Sequence, residues 1–452
     1  MNKKFKLSSP QIILLSFLIV ILIGTVLLLL PFSTTGENIN FIDALFTATS
    51  ATCVTGLIVH NTGTYFTRIG QMIILLMMQV GGLGIMTFSS IFLILLKQRI
   101  SIKDRLILQE NFGQKTSQKQ ISVLIRNIVI FTIITETVGA LLLYLGFRKD
   151  LPPSEALYSS IFHSISAFCN AGFSIYQNSF SKYVDNPLIN FTIISLIIIG
   201  GLGFFVLTDL QIKFFRKFKR KNVFLTLHTK IVLTTSLILI IVGALLIYLF
   251  ECTNILAGFN LRTLFASLFQ SVTTRTAGFN TIDIGKLQGT TLFLMIILMF
   301  IGASPGSTGG GIKTTTFVVV LYYFFSVITN KQRVVIRKRT IPREVISKSI
   351  VIFFISCSIL IFFTMLLQLF QSSAYSGAVA KNKFLEYLFE VTSAFCTVGL
   401  STGVTPNLTS LSRLLITVLM YIGRLGPLTI AVAFTQKERI NIEYPDENIL
   451  IG

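Results

Sequence analysis

The chemistry this sequence offers most plainly lies in backbone carbonyls. Four stretches share one pattern: ATCVTGL at Ala51 to Leu57, AFCNAGF at Ala167 to Phe173, TTRTAGF at Thr273 to Phe279 and AFCTVGL at Ala394 to Leu400. Each ends in a glycine followed by Leu or Phe, and Gly56, Gly172, Gly278 and Gly399 stand 116, 106 and 121 residues apart. An extended segment at this place can turn its main-chain oxygens toward a common axis and replace the water shell of a potassium ion. Glycine suits the narrowest point, because without a Cβ the four strands need not crowd one another. The residues expected to face the ion are Val54, Thr55 and Gly56, then Asn170, Ala171 and Gly172, Thr276, Ala277 and Gly278, and Thr397, Val398 and Gly399.

Side chains supply little competing chemistry. Five cysteines include no CxxC pair, and His60, His163 and His228 are scattered, so neither a disulfide framework nor a transition-metal site is expected. Asp43, His60, His163, Glu386 and Glu390 lie near the four motifs, yet no acid–base pair recurs at a catalytic spacing, which argues against a membrane-embedded transferase. The stretch GASPGSTGGGIKTTT, Gly302 to Thr316, superficially resembles a phosphate loop. Ile312 separates Gly311 from Lys313, however, and no strand precedes it. Its glycines and Pro305 instead interrupt an apolar segment, and non-helical backbone at membrane depth belongs where protein or a water-filled cavity surrounds it. Two charges also fall in apolar surroundings. Arg424, in MYIGRLGPL, is expected near mid-helix, facing the axis, and is functional by default. Glu136, in IITETVGA, is read equally well as a structural hydrogen-bonding group.

The elements that must position these residues follow from composition. With 52% apolar and 12% charged residues, the 452-residue chain carries about half the charge of a soluble domain, so a polytopic membrane protein in a lipid bilayer is expected. The formal charge of +20 sits in NKKFK near the N-terminus, in Lys97 to Lys119, in Lys213 to Lys230 and in Lys331 to Lys348. Apolar stretches separate these blocks, a positive-inside pattern that puts them on the cytoplasmic side and gives no reason to expect nucleic acid. Ile12 to Leu30 exceeds the usual signal-peptide core of ~7 to 15 residues and lacks a small-residue cleavage site, so it reads as a membrane helix.

Phe46, Phe162, Leu268 and Phe389 precede the four glycines by ten positions, in apolar runs of half-helix length. Small-residue clusters follow in the next apolar segment: GGLG at Gly81, GGLG at Gly200, GASPG at Gly302 and GRLG at Gly423. The expected fold is therefore all-α, with four repeats of helix, pore half-helix with filter loop, and helix, in pseudo-four-fold symmetry around one pore. The repeats run 1–96, 97–215, 216–328 and 329–435, with a cytoplasmic tail at 436–452. Second helices are expected near Gly70 to Leu96, Pro187 to Phe215, Thr290 to Ser326 and Ser410 to Phe434, with a single break, in repeat three. Eight spans would leave both termini in the cytoplasm. An alternating-access symporter is the rival within transport, but such carriers usually show two repeats with corresponding broken helices.

The four filter-like copies, GASPGSTGGGIK and the Arg in GRLGP together closely resemble the Trk/Ktr/HKT superfamily of potassium transporters over nearly the whole chain, most like the Ktr-type membrane subunit. The resemblance implies potassium preference from glycine in all four filters, and a position for Arg275 behind the third. It implies a gate in the 302–316 loop formed by Gly309, Gly310, Gly311 and Lys313, with Arg424 beside it. It also implies a homodimer in a bacterial cell membrane, resting on a cytosolic ring of nucleotide-binding RCK regulatory subunits. Potassium is then the transported ion and sodium a possible activator. No cofactor is expected in the subunit itself, nucleotide belonging to the partner.

Overall fold

The computed structural model describes residues 9–36, 38–84, 118–218, 224–258, 260–372, 383–427 and 429. The C-terminal tail, the basic block at 97–117 and the far ends of two second helices lie outside these residues. The described chain is mostly helical, with one short antiparallel strand pair, Val335–Ile336 and Arg339–Thr340. Four outer helices, α1 (Ser9–Leu29), α4 (Gln118–Phe147), α8 (Leu227–Glu251) and α12 (Arg343–Ser372), contain spans long and apolar enough to cross a membrane. Their Leu, Ile and Phe side chains remain widely exposed, Ile19 and Leu141 among them, as expected of a surface solvated by lipid.

Between each outer and inner helix lies a half-helix: α2 (Phe41–Thr52), α5 (Pro153–Phe168), α9 (Leu261–Thr273) and α13 (Phe384–Phe395). At 1.5 Å per residue α2 reaches about 18 Å, too short for a hydrocarbon core of about 30 Å. Local sequence fixes where they begin. Pro153 opens α5 at the first-turn position that needs no amide hydrogen, and Asn260 with Thr263 forms a reciprocal capping box at the start of α9.

The inner helices are α3 (Arg68–Leu83), α6 (Pro187–Leu202), α10 (Gly289–Phe300) and α14 (Ser410–Leu425). At 12 to 16 residues, each is by itself shorter than a membrane span of about 20 residues. The expected continuous helix from Pro187 to Phe215 is two helices, α6 and α7 (Phe204–Phe218), bent by 101° at Gly203. The small-residue clusters mark helix ends rather than mid-helix positions. Gly84, Gly203 and Gly426 take φ of 80°, 89° and 83°, a backbone that stops an α-helix and that glycine adopts without a Cβ penalty. Arg424 accordingly sits in the last turn of α14, not mid-helix. In repeat three α10 stops at Phe300, and α11 (Thr314–Ile328) resumes after the loop. Interruption is thus a property of at least two repeats, and the expectation of a single break is corrected.

Each inner helix packs on the half-helix of the following repeat: α3 on α5, α6 on α9, α10 on α13, and α14 back on α2. That cycle closes the ring. Its last seam joins the two ends of the described chain. Arg413 Nη1 on α14 donates to buried Asp43 Oδ1 on α2 at 2.6 Å, His60 Nε2 lies 3.1 Å from Oδ2, and Arg413 Nη2 donates to the Pro406 carbonyl at 2.8 Å. Asp43→Ala leaves this guanidinium without its counter-charge in a largely buried place, and a loss of about 3 kcal/mol is expected. Thermal unfolding in detergent checks this, with Asp43→Asn expected to lose less.

Candidate functional site

The four half-helices bring their C-terminal ends, which carry partial negative charge, to the start of the four motifs. There the backbone takes an unusual course. Val54, Asn170, Thr276 and Thr397 have φ of 58°, 57°, 73° and 50°, and the glycines two residues on have 93°, 70°, 79° and 89°. A left-handed conformation at β-branched Val54 and at both threonines is sterically costly, and strain of this kind collects at functional sites. The intervening amides are tied back to their own half-helices: Thr55 to Ser50 O, Ala171 to Ser166 O and Val398 to Ser393 O at 2.8 Å, and Ala277 to Thr273 O at 2.9 Å.

Hydroxyls hold the far side of the first three turns. Ser50 Oγ donates to Leu57 O at 2.7 Å, Ser166 Oγ to Phe173 O at 2.8 Å and Thr273 Oγ1 to Phe279 O at 2.6 Å. These hydroxyls were not among the expected site residues. The recurring Ser six positions before Gly56, Gly172 and Gly399 was the available signal, and repeat three conceals it by moving the hydroxyl one residue on, to Thr273.

The structure brings all twelve expected filter residues together. A Cβ built on Gly56 would meet the Ala171 carbonyl and Gly172, on Gly172 the Ala277 carbonyl and Gly278, on Gly278 the Val398 carbonyl and Gly399, and on Gly399 the Thr55 carbonyl and Gly56. The sequence of contacts returns to its start, so the glycines form one closed ring. Val54, Thr55, Asn170, Ala171, Thr276, Ala277, Thr397 and Val398 are fully buried. Among the described residues no protein donor reaches the carbonyls of any of the twelve. Buried carbonyls are nearly always paired. A ring of them left free is a set of oxygen ligands for a cation.

The loop of repeat three lies directly beneath. A Cβ on Gly309 would strike the Thr276 hydroxyl and one on Gly310 the Thr397 hydroxyl, so no side chain larger than hydrogen fits under the ring at either place. Bonds to neighbouring repeats hold the loop: Thr308 N to Gly200 O at 3.3 Å, Ser304 N to Gly201 O at 3.1 Å, and Phe204 N to Gly306 O at 2.9 Å. The break at Gly203 thus frees carbonyls of α6, and the loop amides take them up. Two half-buried cations complete the arrangement. Lys313 Nζ donates to Gly309 O at 2.7 Å, while Arg424 donates through Nη1 to Thr308 O and through Nη2 to Gly81 O. Gly311 has φ of 73° and would meet Gly302 if it carried a Cβ.

The remaining expected residues separate from the ring. Arg275 is buried and lines a narrow cleft with Ile197, Ile198, Gly201 and Ile240, on the side of α9 turned toward α6 and α8. Glu136 accepts from Gln79 Nε2 at 3.3 Å, and its backbone carbonyl accepts from Ser164 Oγ at 2.6 Å. No cluster of His, Cys, Asp and Glu suited to a metal occurs among the described residues.

A closed ring of re-entrant hairpins within lipid-facing helices defines a polytopic membrane transport protein. A family model described as TrkH, cation transport protein, matches residues 3–442, and this chain belongs to that family. It is 40% identical to the Ktr system potassium uptake protein B of Bacillus subtilis, over 100% of this chain and 98% of the relative. It is 37% identical to the potassium/sodium uptake protein NtpJ of Enterococcus hirae, over 99% and 98%. The crystal structure of the potassium transporter TrkH from Vibrio parahaemolyticus shares the fold, with a TM-score of 0.69 at 19% identity, over 96% of this chain and 87% of that one.

Proposed function

We propose that this chain is the ion-translocating subunit of a potassium uptake system, passing potassium in channel-like fashion through the four-glycine ring. The observation that carries this reading is the ring of buried carbonyls without protein donors. Alternating signs of φ along each motif turn successive carbonyls toward the same side, which suits coordination by stacked oxygen layers. The membrane potential supplies about 2.3 kcal/mol per charge per 100 mV, enough to accumulate a monovalent cation without a catalytic cycle. A relative named for potassium uptake, and one named for potassium/sodium uptake, support potassium as the cargo; sodium is taken as a stimulating ion on the family resemblance.

The loop at 302–316 is the gate, with Gly309, Gly310 and Gly311 as its pliant part and Lys313 and Arg424 as the cations that hold it closed. The repeats are 1–96, 97–215, 216–328 and 329–435. The protein is a homodimer in the bacterial cell membrane, with both termini cytoplasmic, and works with a cytosolic nucleotide-binding RCK ring that controls the gate. The name "Ktr system" of a relative supports a partnership with further components. A recurring break in the inner helices removes one argument against a carrier cycle, so the channel-like reading rests on the ring.

Expression in cells stripped of their potassium-uptake systems, grown on limiting potassium, is expected to restore growth, and more fully with a cognate RCK subunit. Failure to restore growth by membrane-inserted protein in either setting would refute potassium uptake. Obligatory one-to-one coupling in liposomes would replace the channel by a carrier.

A further inference from the structure

Behind the ring, the pseudo-four-fold symmetry falls to two-fold. Nine residues before the ring glycine stand Thr47, His163, Phe269 and Glu390, and two residues after it stand Ile58, Ser174, Asn280 and Ser401. In repeats two and four these positions meet. His163 is fully buried, and its Nδ1 lies 2.8 Å from the Ser159 carbonyl. A carbonyl can only accept, so Nδ1 carries the proton and Nε2 accepts from Ser174 Oγ at 3.0 Å. In the opposite repeat the buried Glu390 accepts from Ser401 Oγ at Oε1 and from Thr405 Oγ1 at Oε2, the latter at 3.0 Å.

Each serine also accepts from the amide two residues on, Tyr176 N at 3.1 Å and Gly403 N at 3.0 Å, so the two braces share one geometry built from different side chains. Among the described residues, repeats one and three have no brace between these two positions. Thr47 Oγ1 bonds to its own helix at Asp43 O, and Phe269 has no hydrogen-bonding group. Farther along, their strands are also tied to the adjacent repeats. In repeat one His60 meets Asp43 of its own half-helix, and Asp43 in turn accepts from Arg413 of repeat four, while in repeat three Asn280 N donates to Ser179 Oγ and Asn280 O accepts from Phe180 N of repeat two.

We infer that His163 and Glu390 are positioning residues for ion selectivity, bracing the Gly172 and Gly399 strands against inward collapse. The inference rests on the reading of the glycine ring as the selectivity filter. The contact order of the ring places Gly172 and Gly399 on one diagonal. A smaller cation needs its carbonyl ligands closer to the axis, and a buried brace between half-helix and outgoing strand opposes that contraction. Potassium needs no contraction, so the brace acts against sodium. Two diagonal repeats that carry this brace, each also steadying a neighbour, hold the whole ring.

Ser174→Ala and Ser401→Ala remove the hydroxyl from the outer end of each brace with little change in volume. In competitive uptake each is expected to lower the preference for potassium over sodium about threefold or more, the loss of one buried hydrogen bond. Half-saturating potassium should rise while maximal uptake changes little. Ser401→Thr, which keeps the hydroxyl, is expected to recover the preference, and Ile58→Ala at the matching place in repeat one to leave it unchanged. For any variant that does not transport, the ratio of potassium- to sodium-dependent thermal protection of purified protein reads the same preference. An unaltered preference in both serine variants, beside an altered one in a ring-glycine variant, overturns the brace and leaves the filter standing. An equal fall in Ile58→Ala also overturns the brace, whereas no change even in the glycine variant overturns the filter reading beneath it.

Discussion

Gly56→Ser is expected to lower the preference for potassium over sodium about tenfold, through a penalty of about 1 to 2 kcal/mol on the ring geometry. Two costs act together. The backbone at Gly56 has φ of 93°, which a residue with a Cβ adopts reluctantly, and the new Cβ would lie 2.5 Å from the Ala171 carbonyl oxygen and 3.0 Å from Gly172 Cα. Relief requires moving that carbonyl, which is itself a proposed ligand. The damage therefore reaches two adjacent strands at once. The same arithmetic ranks the other positions. At Gly172 the nearest oxygen, of Ala277, is 2.9 Å from the built Cβ, and at Gly278 the Val398 oxygen is 2.6 Å away, whereas at Gly399 the Cβ would overlap the Thr55 carbonyl outright. Serine should be tolerated best at Gly172 and least at Gly399. Competitive uptake of the two ions by the four variants checks both effect and order. Unchanged selectivity in Gly56→Ser with normal membrane insertion defeats the filter role of that strand.

Much of this site could be read in advance because its logic is repetition. A motif of a few residues kept in register with a Phe or Leu upstream and a small-residue cluster downstream constrains the backbone four times over, and a glycine required by an axis shows in sequence as an invariant of the copies. The meaning of the small-residue clusters was less legible. GGLG is compatible with close helix packing and with a helix end, and the structure uses it for both. A Cβ on Gly81, Gly200 or Gly423 would strike the carbonyl of Thr52, Phe168 or Phe395 in the last turn of the half-helix, while the final glycine of each cluster stops the inner helix. Apolar periodicity could not reveal the bend at Gly203, since the residues of α6 and α7 on either side of it are both apolar. Nor could it reveal partners distant in sequence. Arg413 and Asp43 are 370 residues apart, and Ser174 becomes a partner of His163 only once the chain has turned back through the ring.

If the proposed gate is right, removing the Arg424 guanidinium is expected to raise potassium flux in the absence of the proposed regulator about tenfold or more. Its two arms reach the Thr308 carbonyl of the loop and the Gly81 carbonyl of α3, so one side chain from repeat four ties the loop of repeat three to the inner helix of repeat one. Hydrogen bonds from a charged donor contribute about 1.5 to 3 kcal/mol each, and burial of the guanidinium takes back part of that. A net bias of about 1.4 kcal/mol toward the closed loop already corresponds to a tenfold change in the open population. Loss of the cation beneath the ring also lowers the electrostatic cost of an approaching potassium ion, so both effects of Arg424→Ala have the same sign. Arg424→Lys separates them, since an ammonium keeps the charge but lacks the planar fork that spans two carbonyls. Its flux should fall between those of the parent and Arg424→Ala. Lys313→Ala removes a bond confined to the loop itself, from Nζ to Gly309 O, and should release the proposed gate less than Arg424→Ala does. Shortening the run from Gly309 to Gly311 withdraws the segment that lies under Thr276 and Thr397 and should act in the same direction as Arg424→Ala. If Arg424→Ala and the shortened loop both lower flux at normal expression, the loop is a support that the open pathway needs, and the gate must be sought in another element.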